Sequence, residues 1–214
     1  MSNSIINKLR YDYSSKTFDE KDALRNPLTQ FDVWMNEALQ SEVMEPNAFV
    51  LSTVDSMSKP SSRIVLLRGY DENGFVFFTN YNSRKGDNMD VNQHVCLNFF
   101  HQSLERQIRI EGVVQKIDTA ASDDYFNGRP LGSRLGAWAS NQSEKIASRE
   151  VLENKQKELE EKFADGNVTR PPHWGGYVCK PNYYEFWQGR NSRLHDRIAY
   201  ESKNNQWQIA RLSP

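Results

Sequence analysis

The sequence predicts a mostly β protein with peripheral helices, an α+β fold built on an antiparallel sheet or barrel. Short segments rich in β-branched and aromatic residues follow one another along the chain, and helical segments separate only some of them. A chain of 214 residues is also long enough to bury a substantial core without disulfide or metal staples. Neither a GxGxxG motif nor a Walker lysine loop occurs, so both standard nucleotide-binding turns are excluded.

Composition limits the classes of function. The 11 Phe, 9 Tyr and 5 Trp residues argue against a disordered chain, because such chains are poor in aromatic side chains. Lys and Arg number 27 against 28 Asp and Glu, which gives a formal net charge of -1. General nucleic-acid binding depends on a net basic face, so this balance excludes it and leaves only local basic clusters that bind a small anion.

The cysteines and the N-terminal residues indicate the compartment. Cys96 and Cys179 stand in apolar or aromatic surroundings, which predicts two buried, reduced thiols. No spacing of Cys and His suggests a metal site. Residues 1–10 lack the apolar segment of a signal peptide, and no apolar run approaches membrane-spanning length. We therefore expect a cytoplasmic protein without a membrane partner.

The N-terminal part predicts an arm followed by a helix. Residues 1–26 are polar with little periodicity and predict a mobile arm, whereas residues 27–214 predict a single domain. Pro27 is suited to the first turn of an amphipathic helix. The apolar residues of this helix recur at helical spacing and are Phe31, Trp34, Met35 and Leu39.

The middle of the chain predicts most of the sheet. A short helix begins at Ser83, a suitable N-cap, and extends to residue 91. Two long strands on its C-terminal side pair through a turn at residues 101–104. The predicted strands, rich in β-branched and aromatic residues, cover about 47–54, 63–68, 74–79, 94–101 and 105–117.

Two further helices precede the C-terminal strands. Thr119 is expected to cap a helix that ends near Phe126, before Gly128 and Pro130. Ser143 is expected to cap a longer helix whose dense charges indicate a solvated face. Its narrow packing stripe consists of Ile146, Val151, Leu152, Leu159 and Phe163. The last predicted strands cover about 174–179, 183–188, 194–200 and 206–211.

The tripeptide Ser83-Arg84-Lys85 is the first candidate anion site. It lies where a strand leads into a helix N-terminus. Free backbone N–H groups, the helix dipole and a guanidinium group all favour a phosphate at such a place. Taken alone, the tripeptide is also compatible with an exposed basic turn.

The segment Arg193–Arg197 is the second candidate. If it is a strand, its period of two places Arg193, His195 and Arg197 on one face. Two arginines beside an imidazole are unfavourable to bury unless an anion or an electron-rich ring lies among them. The alternative is a solvated edge strand.

The segment Tyr125–Ser133 is the third candidate. Tyr125, Arg129 and Ser133 offer a phenol, a guanidinium group and a hydroxyl, which together suit a phosphate monoester. An ordinary helix-terminating turn is the alternative. No GxSxG or HExxH motif and no convincing nucleophilic cysteine is present, so any chemistry is expected to come from a cofactor.

Taken together, these segments resemble the pyridoxine/pyridoxamine 5′-phosphate oxidases, a family of FMN enzymes. The patterns RPxxSxxGAWxSxQS and EFWQGxxxRLHDR are long and specific to that family. The matching stretches are RIVLLR (63–68), FVFFTNYNSRKG (75–86), LERQIRIEG (104–112), YFNGRPLGSRLGAWASNQS (125–143), HWGGY (173–177), EFWQGRNSRLHDRIAY (185–200) and the closing ARLSP.

The resemblance implies a split β-barrel homodimer that includes a C-terminal dimerisation region and binds FMN in clefts between the subunits. Arg63, Arg84 and Lys85 would hold the FMN phosphate. The implied FMN contacts are Arg63, Ile64, Val65, Leu66, Leu67, Arg68, Phe78, Thr79, Arg84, Lys85, Gln107, Gln142, Ser143, Trp187 and Arg197.

The resemblance also implies a substrate site and two catalytic residues, Arg193 and His195, which would embrace a pyridine ring. The implied phosphate contacts of the substrate are Arg68, Tyr125, Arg129 and Ser133, and Arg10 with Tyr13 would close over the ring. Two positions depart from the family pattern, because Arg68 replaces a usual lysine and Phe78 a usual tyrosine. We expect altered affinity rather than lost activity, since one missing hydrogen bond is worth about 0.5–1.5 kcal/mol.

The implied reaction is the oxidation of pyridoxine 5′-phosphate or pyridoxamine 5′-phosphate by O2, with hydride transfer from C4′ to flavin N5. The products are pyridoxal 5′-phosphate and H2O2, with NH3 from the amine. Two alternatives stay open: a flavin reductase-like or stress-related split-barrel protein, and a non-catalytic carrier of pyridoxal phosphate. The sequence does not rank the two substrates.

Overall fold

The computed structural model describes residues 12–13, 16–204 and 206–214. Its nine strands are β1 (Ala48–Val54), β2 (Pro60–Leu66), β3 (Gly69–Asp71), β4 (Gly74–Asn80), β5 (His94–His101), β6 (Arg106–Lys116), β7 (Trp174–Gln188), β8 (Asp196–Lys203) and β9 (Gln206–Arg211). The α-helices of the described residues are α1 (Pro27–Leu39), α2 (Arg84–Val91), α3 (Thr119–Asn127), α4 (Leu131–Ala139) and α5 (Arg149–Lys162).

The nine strands form one sheet, in which some strands pair with their neighbours in the sequence and others pair with strands that are distant in the sequence. The order is β2-β1-β5-β6-β7-β4-β3, while β8 pairs with both β7 and β9. The pairs β1–β2, β3–β4, β4–β7, β7–β8 and β8–β9 are antiparallel. This arrangement confirms the predicted antiparallel sheet with peripheral helices.

Residue contacts divide the chain into two compact units. Of the described residues, the first unit contains those up to 47 together with 98–110 and those from 182 onward, and the second contains 48–97 and 111–181. Strands β5, β6 and β7 therefore contribute residues to both units. The single domain expected over residues 27–214 stays a prediction.

The first unit packs helix α1 against aromatic residues of the sheet. Trp34 meets Phe18 and Phe186 edge to face, with ring centroids 5.0 and 5.2 Å apart. Phe31 meets Phe99 at 5.4 Å. The apolar helical stripe is confirmed except at Leu39, which is 60% exposed at the last turn of the helix.

The second unit has an aromatic core between strands β1, β4 and β7. Phe77 contacts Phe49 and Tyr177, with ring centroids 5.9 and 5.8 Å apart. Cys179 is fully buried and Cys96 is half-buried, and neither forms a disulfide. Burial raises the pKa of the Cys179 thiol to about 12, which keeps it protonated and unreactive.

The helices of the second unit differ from the prediction at their ends. Asp118, rather than Thr119, caps α3, because its carboxylate accepts from the Ala121 N–H at 2.7 Å. Pro130 lies after the end of α3 at Asn127. It is also the residue before α4, and its carbonyl accepts from the Ser133 N–H at 2.9 Å. Helix α4 was not predicted, since Gly128 and Pro130 have the composition of a loop.

The helix expected from Ser143 begins six residues later, at Arg149. Ser143 has φ 78°, a left-handed conformation that a helix N-cap does not adopt. The predicted packing stripe is also narrower than expected, because Leu159 is buried while Ile146 and Val151 are 47% and 45% exposed.

The strand predicted over residues 194–200 is wrong at its N-terminal end. Ser192 and Arg193 have φ 55° and 60°, and Asn191–Arg193 form a 3-10 turn. Strand β8 begins only at Asp196. Arg193 and His195 therefore do not share a strand face with Arg197, and period-two alternation does not apply to them.

The described residues provide neither a membrane-spanning helix nor a cluster of metal-binding side chains. No helix among them is both long and apolar enough to cross a lipid bilayer. No group of three or more His, Cys, Asp or Glu side chains within residues 12–13, 16–204 and 206–214 is placed to hold a metal ion.

The burial difference along α1 predicts a difference in stability. Phe31→Ala removes a fully buried ring, so we expect its free energy of unfolding to fall by about 3–5 kcal/mol. Leu39→Ala, on the same helix, should change it by less than about 0.5 kcal/mol. Urea denaturation followed by circular dichroism measures both, and equal effects would contradict the assigned helix face.

Candidate functional site

A cavity of about 330 Å³ opens in the second unit beside the end of β4. Polar and aromatic side chains line it together, as in sites that bind a flat ring with a charged tail. The lining residues are Ile64, Val65, Leu66, Arg68, Phe78, Thr79, Asn80, Lys85, Tyr125, Arg129, Ser140, Gln142 and Trp174.

A tight turn places Lys85 at this cavity. Strand β4 ends at Asn80, and α2 starts at Arg84 after the N-cap Ser83, whose hydroxyl accepts from the Gly86 N–H. A Cβ on Gly86 would lie 1.8 Å from the carbonyl oxygen of Tyr81, so only glycine fits there. The local prediction of a capped helix N-terminus with two cations is confirmed.

Lys85 is buried but has no acidic partner among the described residues. Its Nζ donates to Thr79 Oγ1 at 2.8 Å, to Ser83 Oγ at 2.9 Å and to Gln142 Oε1. Burial, assisted by the positive charge of Arg63, lowers the Lys85 pKa to about 8.

Arg63 is also held by uncharged oxygens. Its Nη1 donates to Thr53 Oγ1 at 2.8 Å and to the carbonyls of Leu51 and Ser61 at 3.1 Å. Its Nη2 donates to Ser61 Oγ at 2.8 Å. Burial and then the charge of Arg84 lower the Arg63 pKa, and a guanidinium stays charged at all physiological pH values.

The loop after α4 lies against this turn. Asn80 donates to the Ser140 carbonyl at 3.2 Å, and the Arg84 N–H donates to Ser143 Oγ at 3.2 Å. Gln142 and Ser143, predicted from a distant part of the sequence, are thereby brought to the Arg84–Lys85 pair.

The electrostatics favour an anionic ligand. Among the described residues, no carboxylate lies within 4.0 Å of the charged groups of Arg63, Arg84 or Lys85. Lys85 is buried and Arg63 is half-buried, and cations removed from water without a counter-ion are unfavourable until an anion neutralises them. These residues therefore fit a phosphate group.

A stack of aromatic rings forms one wall of the cavity. Phe78 lies parallel to Tyr125 with ring centroids 3.7 Å apart, and parallel to Trp174 at 5.5 Å. The Arg129 guanidinium carbon lies 4.5 Å from the centre of the Trp174 ring. The buried Nη1 of Arg129 has no hydrogen-bond partner among the described residues, and an unpaired buried donor of this kind is available to bind a ligand.

A second cavity of about 560 Å³ adjoins these residues. It contains all four predicted contacts of the substrate phosphate, namely Arg68, Tyr125, Arg129 and Ser133. The first cavity also includes Arg68, Tyr125 and Arg129. The second unit thus has two adjoining cavities, each lined by cationic groups, and Asp124 also lines the second cavity.

In the first unit, His195 lies among aromatic rings. Its ring centroid is 4.6 Å from that of Trp187 and 5.7 Å from that of Tyr13. Its Nδ1 accepts from the Arg190 N–H at 3.1 Å, which leaves Nε2 to carry the proton. Burial and then the charge of Arg193 lower the His195 pKa, so the imidazole is neutral at pH 7.

The residues after β7 are packed closely around this group. A Cβ on Gly189 would lie 2.7 Å from Tyr13 Cγ, so the arm residue Tyr13 contacts bare backbone. Arg193 is exposed in its 3-10 turn. Arg10 lies outside the described residues.

A buried carboxylate orients Arg197 in the first unit. Glu185 is 2% exposed, accepts from Arg197 Nε at 2.8 Å and forms an ion pair with Arg109 Nη2 at 2.9 Å. Burial raises the Glu185 pKa, but the hydrogen bond from Arg197 and the charge of Arg109 outweigh it and the net direction is down. Gln107 and Trp187 are half-buried on β6 and β7.

The structure does not place all the predicted FMN contacts in one cavity. The first cavity is lined by Ile64, Val65, Leu66, Arg68, Phe78, Thr79, Lys85 and Gln142. Arg63, Leu67, Arg84 and Ser143 belong to the second unit but do not line it, and Gln107, Trp187 and Arg197 belong to the first unit. The individual roles of these residues stay predictions.

Sequence reasoning missed several residues of the site. Asn80 and Ser140 line the first cavity, Thr53 and Ser61 hold Arg63, and Glu185 holds Arg197. Thr53 and Ser61 face each other in the register of β1 and β2, on the strand face that carries Arg63, so the folded sheet rather than a sequence pattern reveals them.

Two family models match the chain. The model described as "Pyridoxamine 5'-phosphate oxidase" matches residues 35–163. The model described as "Pyridoxine 5'-phosphate oxidase C-terminal dimerisation region" matches residues 174–214.

Curated relatives are similar over their whole length. A pyridoxine/pyridoxamine 5′-phosphate oxidase of Bordetella pertussis is 53% identical over 210 residues, which cover 98% of this chain and 99% of the relative. One from a Cyanothece species is 51% identical over 209 residues, which cover 98% of each chain.

Solved structures share the fold. PhzG from Burkholderia lata, in complex with tetrahydrophenazine-1-carboxylic acid, has TM-score 0.87 and 31% identity, covering 93% of this chain and 98% of its own. A pyridoxamine 5′-phosphate oxidase-related, FMN-binding protein from Nostoc punctiforme has TM-score 0.69 and 17% identity, covering 90% and 100%. These similarities confirm the predicted fold class.

The lowered pKa of Lys85 predicts a pH-dependent affinity for phosphate. Below pH 8 the free protein carries the ammonium form, and above it the neutral amine. A bound anion raises this pKa, so the dissociation constant of inorganic phosphate should increase as pH rises from about 7.5 to 10. Titration calorimetry measures it. A Lys85→Gln variant should bind more weakly with a flat profile, and a flat wild-type profile would contradict the assignment.

Proposed function

The chain belongs to the pyridoxamine 5′-phosphate oxidase family, and on this premise we propose that it is an FMN-dependent oxidase acting on phosphorylated B6 vitamers. Pyridoxine 5′-phosphate and O2 would give pyridoxal 5′-phosphate and H2O2. Pyridoxamine 5′-phosphate, O2 and water would give the same products and NH3. The observation that carries this proposal is the pair of adjoining, cation-lined cavities in the second unit.

The first cavity suits the phosphate of FMN. Lys85 and Gln142 line it, and Arg63 and Arg84 add positive charge with no described carboxylate within 4.0 Å of their guanidinium groups. FMN, when bound, would supply the redox chemistry by accepting a hydride equivalent from substrate and passing its electrons to O2. The protein itself then needs to bind, orient and polarise.

The second cavity suits the phosphate of the substrate. Arg129 offers a buried, unpartnered Nη1, Arg68 a second guanidinium, and Tyr125 and Ser133 two hydroxyls. Four such donors match the oxygens of a phosphate monoester. This set favours a phosphorylated substrate over a carboxylated one of the kind bound to PhzG.

Arg193 and His195 are the residues that we propose to contact the pyridine ring. A neutral His195 with its proton on Nε2 can donate a hydrogen bond without adding a charge. Arg193 would stabilise negative charge on the ring oxygen as electrons leave the substrate. No single side chain is assigned as an obligatory base.

We further propose a homodimer formed through the C-terminal region. The match of residues 174–214 to the dimerisation model supports it. The cytoplasmic location inferred from the sequence, and O2 as the electron acceptor, stay predictions.

Oxygen consumption tests the proposed reaction. FMN-loaded protein should consume O2 and release H2O2 when pyridoxine 5′-phosphate or pyridoxamine 5′-phosphate is added. The reason is that the first cavity offers donors for the FMN phosphate and the second cavity offers donors for the substrate phosphate. Pyridoxal phosphate binding without O2 uptake would indicate a carrier instead. Flavin reduction by a nicotinamide nucleotide alone would indicate a reductase, and oxidation of only tetrahydrophenazine-1-carboxylic acid would indicate a PhzG-like activity.

Arg193→Ala should lower kcat by about 10²- to 10³-fold, because it removes a charge that acts in the transition state. Its FMN content should equal that of the wild type. Arg193→Lys, which keeps the charge and loses the planar group, should be intermediate. Turnover assays with flavin absorbance measure both quantities, and an unchanged kcat removes Arg193 from the mechanism.

The double variant Arg84→Ala, Lys85→Ala should bind FMN about 10²-fold more weakly or worse, because two charge-assisted hydrogen bonds are lost. Lys59→Ala, an exposed lysine in the β1–β2 turn, is the matched control and should bind normally. Quenching of FMN fluorescence gives the dissociation constants. A double variant that retains full FMN would show that the phosphate binds elsewhere.

A further inference from the structure

A buried carboxamide lies behind the cations of the second unit. Asn88 is 4% exposed and stands on α2, one turn after Arg84 and Lys85. Its Nδ2 donates to Thr53 Oγ1 at 2.9 Å and to Ser61 Oγ at 3.2 Å. Asn88 thus joins the helix to two strands.

The same two hydroxyl oxygens hold Arg63. Thr53 Oγ1 accepts from Arg63 Nη1 and Ser61 Oγ accepts from Arg63 Nη2, each at 2.8 Å. Each hydroxyl oxygen therefore takes one hydrogen bond from the guanidinium group and one from the Asn88 amide. Thr53 on β1 and Ser61 on β2 are paired in the sheet, so the sheet fixes the spacing between their hydroxyl groups.

We propose that Asn88 is a positioning residue for phosphate binding, which sets the separation between Arg63 on β2 and the Arg84–Lys85 pair on α2. This inference rests on the proposed function, since it concerns the residues assigned to the FMN phosphate. The Asn88 amide already donates to Thr53 and Ser61, so we assign it no contact of its own with the ligand.

Electrostatic repulsion explains why such a residue is needed. The positive charges of Arg63 and Arg84 lower the pKa values of Lys85 and Arg63 respectively, so the cations repel one another before an anion binds. A carboxylate at position 88 could not donate to the two hydroxyl oxygens, and its negative charge would neutralise the site. An amide joins helix and strands without removing any positive charge.

FMN and riboflavin differ only in the phosphate group, so their affinity ratio reports on phosphate binding alone. Asn88→Ala should weaken FMN about five- to tenfold, the equivalent of one lost hydrogen bond, and change riboflavin less than about twofold. Asn88→Asp should weaken FMN more than Asn88→Ala, because it adds a negative charge beside Arg63. Fluorescence quenching gives both dissociation constants.

Two further variants separate a loss of phosphate binding from a general folding defect. Thr53→Val preserves the shape of a buried strand residue and should lower the FMN preference as Asn88→Ala does. Ser52→Ala is the control, since Ser52 pairs with Ser62 at 2.9 Å on the exposed face of the same strands. It should leave both affinities unchanged.

The outcomes separate this inference from the proposed function. A wild type that binds FMN no better than riboflavin contradicts the phosphate site, and the inference with it. A wild type that prefers FMN, with Asn88→Ala keeping that preference or weakening both flavins equally, overturns only the role of Asn88.

Discussion

The site in the second unit depends on cations that are held by uncharged oxygens. Lys85 is 8% exposed, and its ammonium group contacts two hydroxyls and an amide oxygen. Arg63 likewise contacts hydroxyls and carbonyls. Such partners orient a cation and satisfy its N–H groups, but they leave its charge available. The unfavourable burial of that charge is offset only when an anion arrives, which makes the site selective for negatively charged ligands.

The shared lining of the two cavities suits the two phosphorylated ligands of the proposed function. Arg68, Tyr125 and Arg129 line both cavities, whereas Lys85 lines only the first and Ser133 only the second. The Phe78–Tyr125 stack forms a flat apolar wall beside these polar groups. Phe78 contributes no hydroxyl to this wall, so the polar contacts there come from Tyr125 and the arginines. A ring can pack against the wall while its phosphate reaches the cations.

Local signals in the sequence predicted local structure well. Ser83 was recognised as a helix cap, and the strands β5 and β9 were placed at their observed ends, because caps and alternation are encoded within a few neighbouring residues. The geometry of Arg193 was not predictable in this way, since two left-handed backbone conformations interrupt the alternation without a glycine to indicate them. The hydrogen bonds from Asn88 to Thr53 and Ser61 span 35 and 27 residues, and only the folded register of the strands brings these groups together. Roles in binding came from the family resemblance rather than from any local pattern.

The backbone of Tyr81 leaves no room for a side chain at Gly86, which has a practical meaning for redesign of the protein. The two neighbouring positions are very different in this respect, because Arg84 is exposed to solvent while Lys85 is enclosed. Libraries intended to recruit flavins with an altered tail can therefore vary position 84 without a steric clash, but a replacement that removes the positive charge is expected to weaken phosphate binding. They should keep glycine at position 86, since a side chain there would displace the backbone of Tyr81 and disrupt the turn between β4 and α2.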